Sequence, residues 1–259
     1  MLLKIASSFR YCYKIIKYSL LILQLLLTNQ ALLAQKVDFN HITVENGLSN
    51  NSILAITQDK VGFMWFGSRN GLNRYDGINF KTYQNIKNDI KSLPSNYIIS
   101  ILCDSKNTLW VGSEFGLSKY ITKEDNFERI TLENGSKAII YCLLEDKEGN
   151  ILVGTSDGLY NNQKEKDSEK KIFKKVKNNL LIGTIIRSIY QDKNGKFLIG
   201  TNNGLTIMYK INDEFIYENF QYQALNINSL SGNYITTISE DDDNNIWIGT
   251  QNNGITIFQ

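Results

Sequence analysis

Asp59-Lys-Val-Gly-Phe-Met-Trp65-Phe-Gly67-Ser-Arg-Asn-Gly71-Leu72 is a unit that the chain writes five times. The other copies carry Asp104, Trp110, Gly112 and Gly116; Asp146, Leu152, Gly154 and Gly158; Asp192, Leu198, Gly200 and Gly204; and Asp241, Trp247, Gly249 and Gly254. In each copy the Asp stands eight residues before the first Gly, and a Trp or Leu stands two before it. The second Gly follows after four residues, or five in the last copy. Successive first glycines lie 45, 42, 46 and 49 residues apart, a period that belongs to solenoids, propellers and arrays.

Ahead of each Asp runs a β-prone segment, at 51–58, 96–103, 138–145, 184–191 and 233–240. The residue six before the Asp is always Ile (Ile53, Ile98, Ile140, Ile186, Ile235). The residue four before it is always small (Ala55, Ser100, Cys142, Ser188, Thr237). Apolar residues at both parities predict a strand covered on both faces. The small position is expected to relieve crowding where such strands converge on a common axis. The Asp carboxylate can accept hydrogen bonds from the amides just beyond it, which predicts a tight turn. A second strand then ends at the first Gly, expected to allow a close backbone approach, and the second Gly is expected to supply a positive φ. A third strand follows, and an outer one is expected to begin near Phe80, Phe127, Phe173 and Phe220. Four antiparallel strands per repeat make one propeller blade. The expected fold is therefore all-β, a β-propeller of four-stranded antiparallel blades at about 48–84, 93–131, 138–177, 184–222 and 230–259. The polar run 161–171 is expected to be a solvated loop.

Residues 1–34 read as a secretory signal peptide, with a basic start, an apolar stretch at about 19–27, a polar break and a small residue at Ala34. An apolar run of that length falls short of the roughly 20 residues that cross a bilayer. An uncleaved N-terminal anchor is the alternative. Either way residues 35–259 are expected in the periplasm, with no membrane span after cleavage. The formal charge of +2 includes Lys4, Arg10, Lys14 and Lys17 of the leader; without them 24 basic residues face 26 acidic ones. That balance leaves no electrostatic footprint for nucleic acid or an anionic membrane. Cys103 and Cys142 fall at different places in neighbouring repeats, one and four residues before the turn Asp, and are expected as small buried hydrophobes rather than a disulfide. With His41 the one histidine and no Cys-x-x-Cys, no metal framework and no cofactor is expected.

The ends leave two architectures open. The segment 38–44, Asp-Phe39-Asn-His-Ile-Thr-Val44, lies where the outer strand of a preceding blade would lie, 20 residues from Phe39 to Asp59. It could complete the fifth blade and close a five-bladed ring, removing an exposed sheet edge. The rival is an incomplete larger propeller whose further blades lie outside this chain.

The wording of the first repeat is recognisable: Ile42-Thr-Val-Glu-Asn-Gly-Leu48-Ser-Asn-Asn-Ser-Ile, then Gln58-Asp, Gly62-Phe-Met-Trp-Phe-Gly, and Asn70-Gly-Leu-Asn-Arg-Tyr-Asp-Gly77. It closely resembles the two-component regulator propeller repeat, over residues 38 to 259. Repeats three and four depart from that pattern in having Leu152 and Leu198 for Trp, and Ala138 and Thr184 for the leading Asn. The resemblance implies the periplasmic sensor part of a hybrid two-component histidine kinase of Bacteroidetes. Such sensors combine propellers with an immunoglobulin-like domain, a membrane span, a kinase, a receiver and often a DNA-binding domain, and they respond to glycan fragments. Only the beginning of that plan is in this chain, so no enzymatic activity is expected of it.

Candidate binding residues follow from the blade plan. Loops leading into the inner strand and loops joining second and third strands should open on one face. They carry Asn50, Asn51, Arg69, Asn70, Asn96, Glu114, Phe115, Asp157, Asn202, Asn203, Asn233, Asn252 and Asn253. Amide and charged groups beside an aromatic suit a polar ligand such as an oligosaccharide; Asn beside Gly also simply makes turns. The five turn aspartates, and Trp65, Trp110 and Trp247, read as structural parts of the repeat. His41 has no nucleophile motif near it, and Asp241-Asp-Asp-Asn-Asn245 lacks the Gly and Glu of a calcium loop. The leading expectation is thus a ligand-sensing or interaction module, partnered by further blades or a sensor kinase. The alternatives are a stand-alone periplasmic protein-binding propeller and, behind it, a propeller glycan lyase or hydrolase.

Overall fold

The computed structural model describes residues 16–21, 38–135, 137–162, 173–176, 180–212 and 214–258. The chain divides into two units, Met1–His41 and Ile42–Gln259. In the first, residues 16–21 form a short exposed helix, and most of the leader read at 1–34 lies outside the described residues. No helix among the described residues is long and apolar enough to cross a membrane. The polar run 161–171 lies outside them beyond Asn162.

The second unit is five antiparallel sheets in chain order. Blade one holds β1 (Ile53–Gln58), β2 (Met64–Ser68), β3 (Gly71–Tyr75) and β4 (Phe80–Tyr83). Blade two holds β5 (Ile98–Cys103), β6 (Leu109–Ser113), β7 (Gly116–Ile121) and β8 (Asn126–Ile130). Blade three holds β9 (Ile140–Glu145), β10 (Ile151–Thr155), β11 (Gly158–Asn161) and the short β12 (Lys174–Lys175). Blade four holds β13 (Ile186–Gln191), β14 (Phe197–Thr201), β15 (Gly204–Ile211) and β16 (Glu214–Phe220). Blade five has three strands, β17 (Ile235–Glu240), β18 (Ile246–Thr250) and β19 (Ile255–Phe258). The inner strands pack in succession, β1 on β5, β5 on β9, β9 on β13 and β13 on β17, so they line a common axis as propeller blades do.

The repeated residues explain how one blade meets the next. A Cβ on Gly67, Gly112, Gly154 or Gly200 would lie 2.5–2.9 Å from the Cγ2 of Ile98, Ile140, Ile186 or Ile235. Each first glycine is therefore a socket for the Ile of the following blade, and those four isoleucines are fully buried. Ile53, which meets no such glycine among the described residues, is only half-buried. The close approach at the first Gly is thus made by a neighbouring side chain. The small residue of each inner strand sits directly across from that Gly (Ala55–Gly67, Ser100–Gly112, Cys142–Gly154, Ser188–Gly200, Thr237–Gly249). The side chains of Ser100, Cys142 and Thr237 pack over that glycine, where a Cβ would collide with them. The second glycines have φ between 74° and 136°, so each turns where a Cβ would be strained.

The turn aspartate does two things. In blade one Asp59 Oδ1 accepts the amides of Val61, Gly62 and Phe63 at 3.0 Å, and Oδ2 accepts Trp65 Nε1 at 2.8 Å. Trp110 and Trp247 donate likewise to Asp104 and Asp241 at 2.9 Å. The lysine after the Asp then reaches the next blade. Lys60 Nζ donates to Ser105 O, Lys147 Nζ to Asp192 O and Lys193 O (2.9 and 2.7 Å), and Lys193 Nζ to Asn244 Oδ1 (2.9 Å). In blade two, where Ser105 replaces the lysine, Glu145 of blade three accepts the Ser105 amide at 2.6 Å.

One strand left open by the sequence is absent from the described residues, and one strand expectation is corrected. Residues 38–43 carry no strand, and Val44–Asn46 form a 3-10 turn capped by Thr43, with Val44 N donating to Asn51 Oδ1. Among the described residues blade five has three strands, and the segment 38–44, one of the two endings left open by the sequence, is not a strand. Second, the outer strand of blade four ends at Phe220 instead of beginning there. Asn212 adopts a left-handed φ of 49° and closes a hairpin early, so β15 and β16 pair from Leu205–Phe220 to Ile211–Glu214. Both terminal blades expose apolar faces: Leu54 and Ile56 on blade one, and Trp247, Ile255, Ile257 and Phe258 on blade five.

Candidate functional site

The expected common face exists as a hydrogen-bonded rim. In every blade the residue just after the second strand donates its amide to the residue just before the inner strand. The pairs are Arg69–Ser52, Glu114–Tyr97, Ser156–Ile139, Asn202–Ile185 and Gln251–Tyr234, at 3.0–3.3 Å.

Most of the amide side chains on this rim are engaged in building it. Asn50 Oδ1 accepts Ser52 N, Asn51 Oδ1 accepts Val44 N, and Asn96 Oδ1 accepts Asn85 N. Asn202 Oδ1 accepts Ile185 N, and Asn233 Oδ1 accepts Tyr222 N. Asn70 is held by Ser49 O and Gln84 Nε2, and Asn203 Nδ2 donates to Ile182 O. Asp157 accepts from Tyr160 OH and Lys175 Nζ. A different set presents side chains outward: Arg69, Phe115, Asn252 and Asn253 are exposed and Glu114 is half-exposed.

The inner strands add residues that the loop reading passed over. Every inner strand carries a bulge between its buried Ile and its small residue. A bulge re-aims the extra residue, here Leu54, Ile99, Tyr141, Arg187 and Thr236. The Arg187 guanidinium lies over the ring of Tyr141 of blade three at 4.3 Å and over that of Tyr234 of blade five at 5.3 Å. Three adjacent blades thus meet at one cation beside the axis. No carboxylate pairs with it among the described residues. Its near neighbour Cys142 stays a neutral thiol, because burial pushes that group up to about 12. Arg69 lies over Tyr97 at 5.9 Å, between blades one and two. A guanidinium over a phenol ring carries five N–H donors in a planar fork, suited to carboxylate or to clustered hydroxyls. The signal in the sequence was chemical variety at one register: after an invariant Ile, the five copies place two aliphatics, a phenol, a cation and a hydroxyl.

A second polar cluster joins blades one and two near their outer edges. Burial alone would raise the Asp125 carboxyl, but hydrogen bonds from Lys81, Tyr120 and Tyr83 outweigh it and hold the group at about 2. Arg74 donates to Tyr120 OH at 3.0 Å and covers Phe63 at 4.7 Å. Every member of this cluster has a partner within it, so it reads as an inter-blade joint. Cys103 and Cys142 are both free thiols. Among the described residues no group of three His, Cys, Asp or Glu side chains is placed to hold a metal.

Comparison with known proteins fits this geometry. The family described as Two component regulator propeller matches at residues 47–70, 92–115, 134–157, 178–203 and 229–252, one match per blade. The extracellular domain assigned to the hybrid two component system BT4673 of B. thetaiotaomicron superposes with a TM-score of 0.66 at 26% identity, over 86% of this chain and 28% of that one. Histidine kinase P4 of Formosa agariphila is 46% identical over 55 residues, 21% of this chain and 4% of that protein. Virginiamycin B lyase of Staphylococcus aureus, at 15% identity and a TM-score of 0.53 over 80% of this chain and 70% of that one, shares the fold alone. The chain spans less than a third of the length of either signalling relative. No kinase domain is found in it. Its five blades are a propeller sensor region of the kind found outside the membrane in hybrid two-component systems, and by its repeats the chain belongs to the two-component regulator propeller family.

Proposed function

We propose that this propeller is the periplasmic ligand-sensing module of a two-component regulator, and that its signal is an oligosaccharide bound at the axial mouth of the rim. The kinase that reads the signal and the further blades that cover the apolar end faces are partners in this reading. One observation carries it: Arg187, without an acidic partner among the described residues, is held between Tyr141 and Tyr234 from the two flanking blades. Such a group offers charged donors and aromatic walls at one point, and it reports on the spacing of three blades at once. Arg69, Glu114 and Phe115 lie on the same rim and extend the contact surface.

The test is titration calorimetry of the chain against a panel of neutral and uronic-acid oligosaccharides, with Arg187→Gln beside the parent. Loss of one charge-assisted hydrogen bond, about 1.5–3 kcal/mol, corresponds to roughly a tenfold or greater weakening. Saccharide binding that is unchanged in Arg187→Gln, or no binding across the panel, rejects the proposal. The second reading, a stand-alone propeller that binds another protein, draws on the exposed Trp247, Ile255 and Ile257 of blade five. Reading the genomic DNA past codon 259 separates the two, because blades and a kinase in the continuing or neighbouring frame support the sensor.

A further inference from the structure

Blade three keeps the turn Asp and changes the Trp, and this leaves a shaped recess. In blade five Asp241 Oδ2 accepts two donors, Asn245 Nδ2 at 2.9 Å and Trp247 Nε1 at 2.9 Å. In blade three Asp146 Oδ2 accepts Asn150 Nδ2 at 3.0 Å in the same way, but the residue at the Trp position is Leu152. The facing blade differs too. Trp65 of blade one meets Tyr120 of blade two edge-on at 5.0 Å, whereas the residue of blade four at the register of Tyr120 is Met208. Between blades three and four a cleft of about 450 Å³ opens at that place, at the end of the sheets opposite the rim. Asp146, Asn150 and Leu152 form one wall, and Met208, Lys210 and Phe215 the other. Its size falls in the range of small-ligand sites.

We propose that this cleft binds an indole-type ring, a planar aromatic whose N–H donates to Asp146 Oδ2. The internal precedent is the indole that occupies this position in blades one, two and five. The ring takes the place of the missing Trp, packs among Leu152, Met208 and Phe215, and supplies the second donor that the carboxylate oxygen takes in blade five. A free indole compound and the tryptophan of an approaching polypeptide share this chemistry. The site is separate from the axial mouth, and its proof or failure leaves the sensing proposal untouched.

Methyl and side-chain amide NMR of the full chain tests it. Indole is expected to shift the Leu152 and Met208 methyls and the Asn150 amide saturably. Benzothiophene, of similar shape without the N–H, is expected to bind at least tenfold more weakly. Leu152→Trp, which builds the ring in, abolishes the response, and Met208→Tyr weakens it from the other wall; each variant's fold is checked by its own spectrum. N-acetyl-L-tryptophanamide binding tighter than indole assigns the ring to a polypeptide, and the reverse order assigns it to a small molecule. Absence of saturable shifts, equal binding of benzothiophene, or an undiminished response in a folded Leu152→Trp protein overturns the proposal.

Discussion

At the scale of single residues, the aspartate that recurs eight positions before glycine is a joint between turn and core. Asp241 shows the electrostatics most clearly. Its carboxyl is held down to about 2, first by the Trp247 indole and then by Asn245, against an ordinary value of 3.8. A depressed carboxylate contributes stability above its unfolded value and loses it as pH falls through the folded one, so this contribution fades between about pH 4 and pH 2. Trp247→Phe removes the leading cause, and carboxyl NMR is expected to find Asp241 titrating nearer its ordinary value. Cys142 offers a complementary check. With its thiol pushed up to about 12 by burial, it should alkylate with iodoacetamide at neutral pH far more slowly in the native protein than after unfolding, measured by peptide mass spectrometry. The spacing of Asp, Trp and Gly was plain in the sequence, and so was the turn. The bond from Trp to Asp was not, because an indole that packs and an indole that also donates look alike in one dimension. Arg187 was passed over for a related reason: a cation inside an apolar strand becomes meaningful only once a bulge brings Tyr141 and Tyr234 to it.

At the scale of elements, blade joins blade through an Ile set into a glycine socket. Ile140→Ala empties the socket at Gly112 and is expected to cost about 2–5 kcal/mol in denaturant unfolding, whereas the half-buried Ile53 should lose clearly less on the same change. Gly112→Ala fills the socket from the other side. Its Cβ would stand 2.6 Å from Ile140 Cγ2, and overpacking of about 1–3 kcal/mol is expected in the same assay. The alternation of strands and turns could be read from the repeat, since every blade shares it. Outer strands could not, because they depend on hairpin length. A left-handed Asn212 moves the whole outer strand of blade four, and no pattern of hydrophobicity marks that choice.

At the scale of the second unit, five sheets around an axis leave apolar surface on the first and the last. Ile56 at one end and Trp247, Ile255 and Ile257 at the other lie at positions that a neighbouring blade covers elsewhere. Sedimentation velocity is expected to show concentration-dependent association of the isolated chain, reduced by Ile56→Lys combined with Ile257→Lys; a monomer at every concentration would contradict this. The sequence left open whether 38–44 closes the ring, since position in a repeat says where a strand could lie and not whether its hydrogen bonds form. The lysine clasps have a direction as well: Lys60, Lys147 and Lys193 each reach forward to the next blade, and the glycine sockets likewise receive only from it. Among the described residues, interior blades are therefore gripped from both sides, and the first and the fifth from one alone. Protease nicking and solvent exchange of this chain should start at the two outermost sheets and travel inward, like a row of hooks undone from its ends.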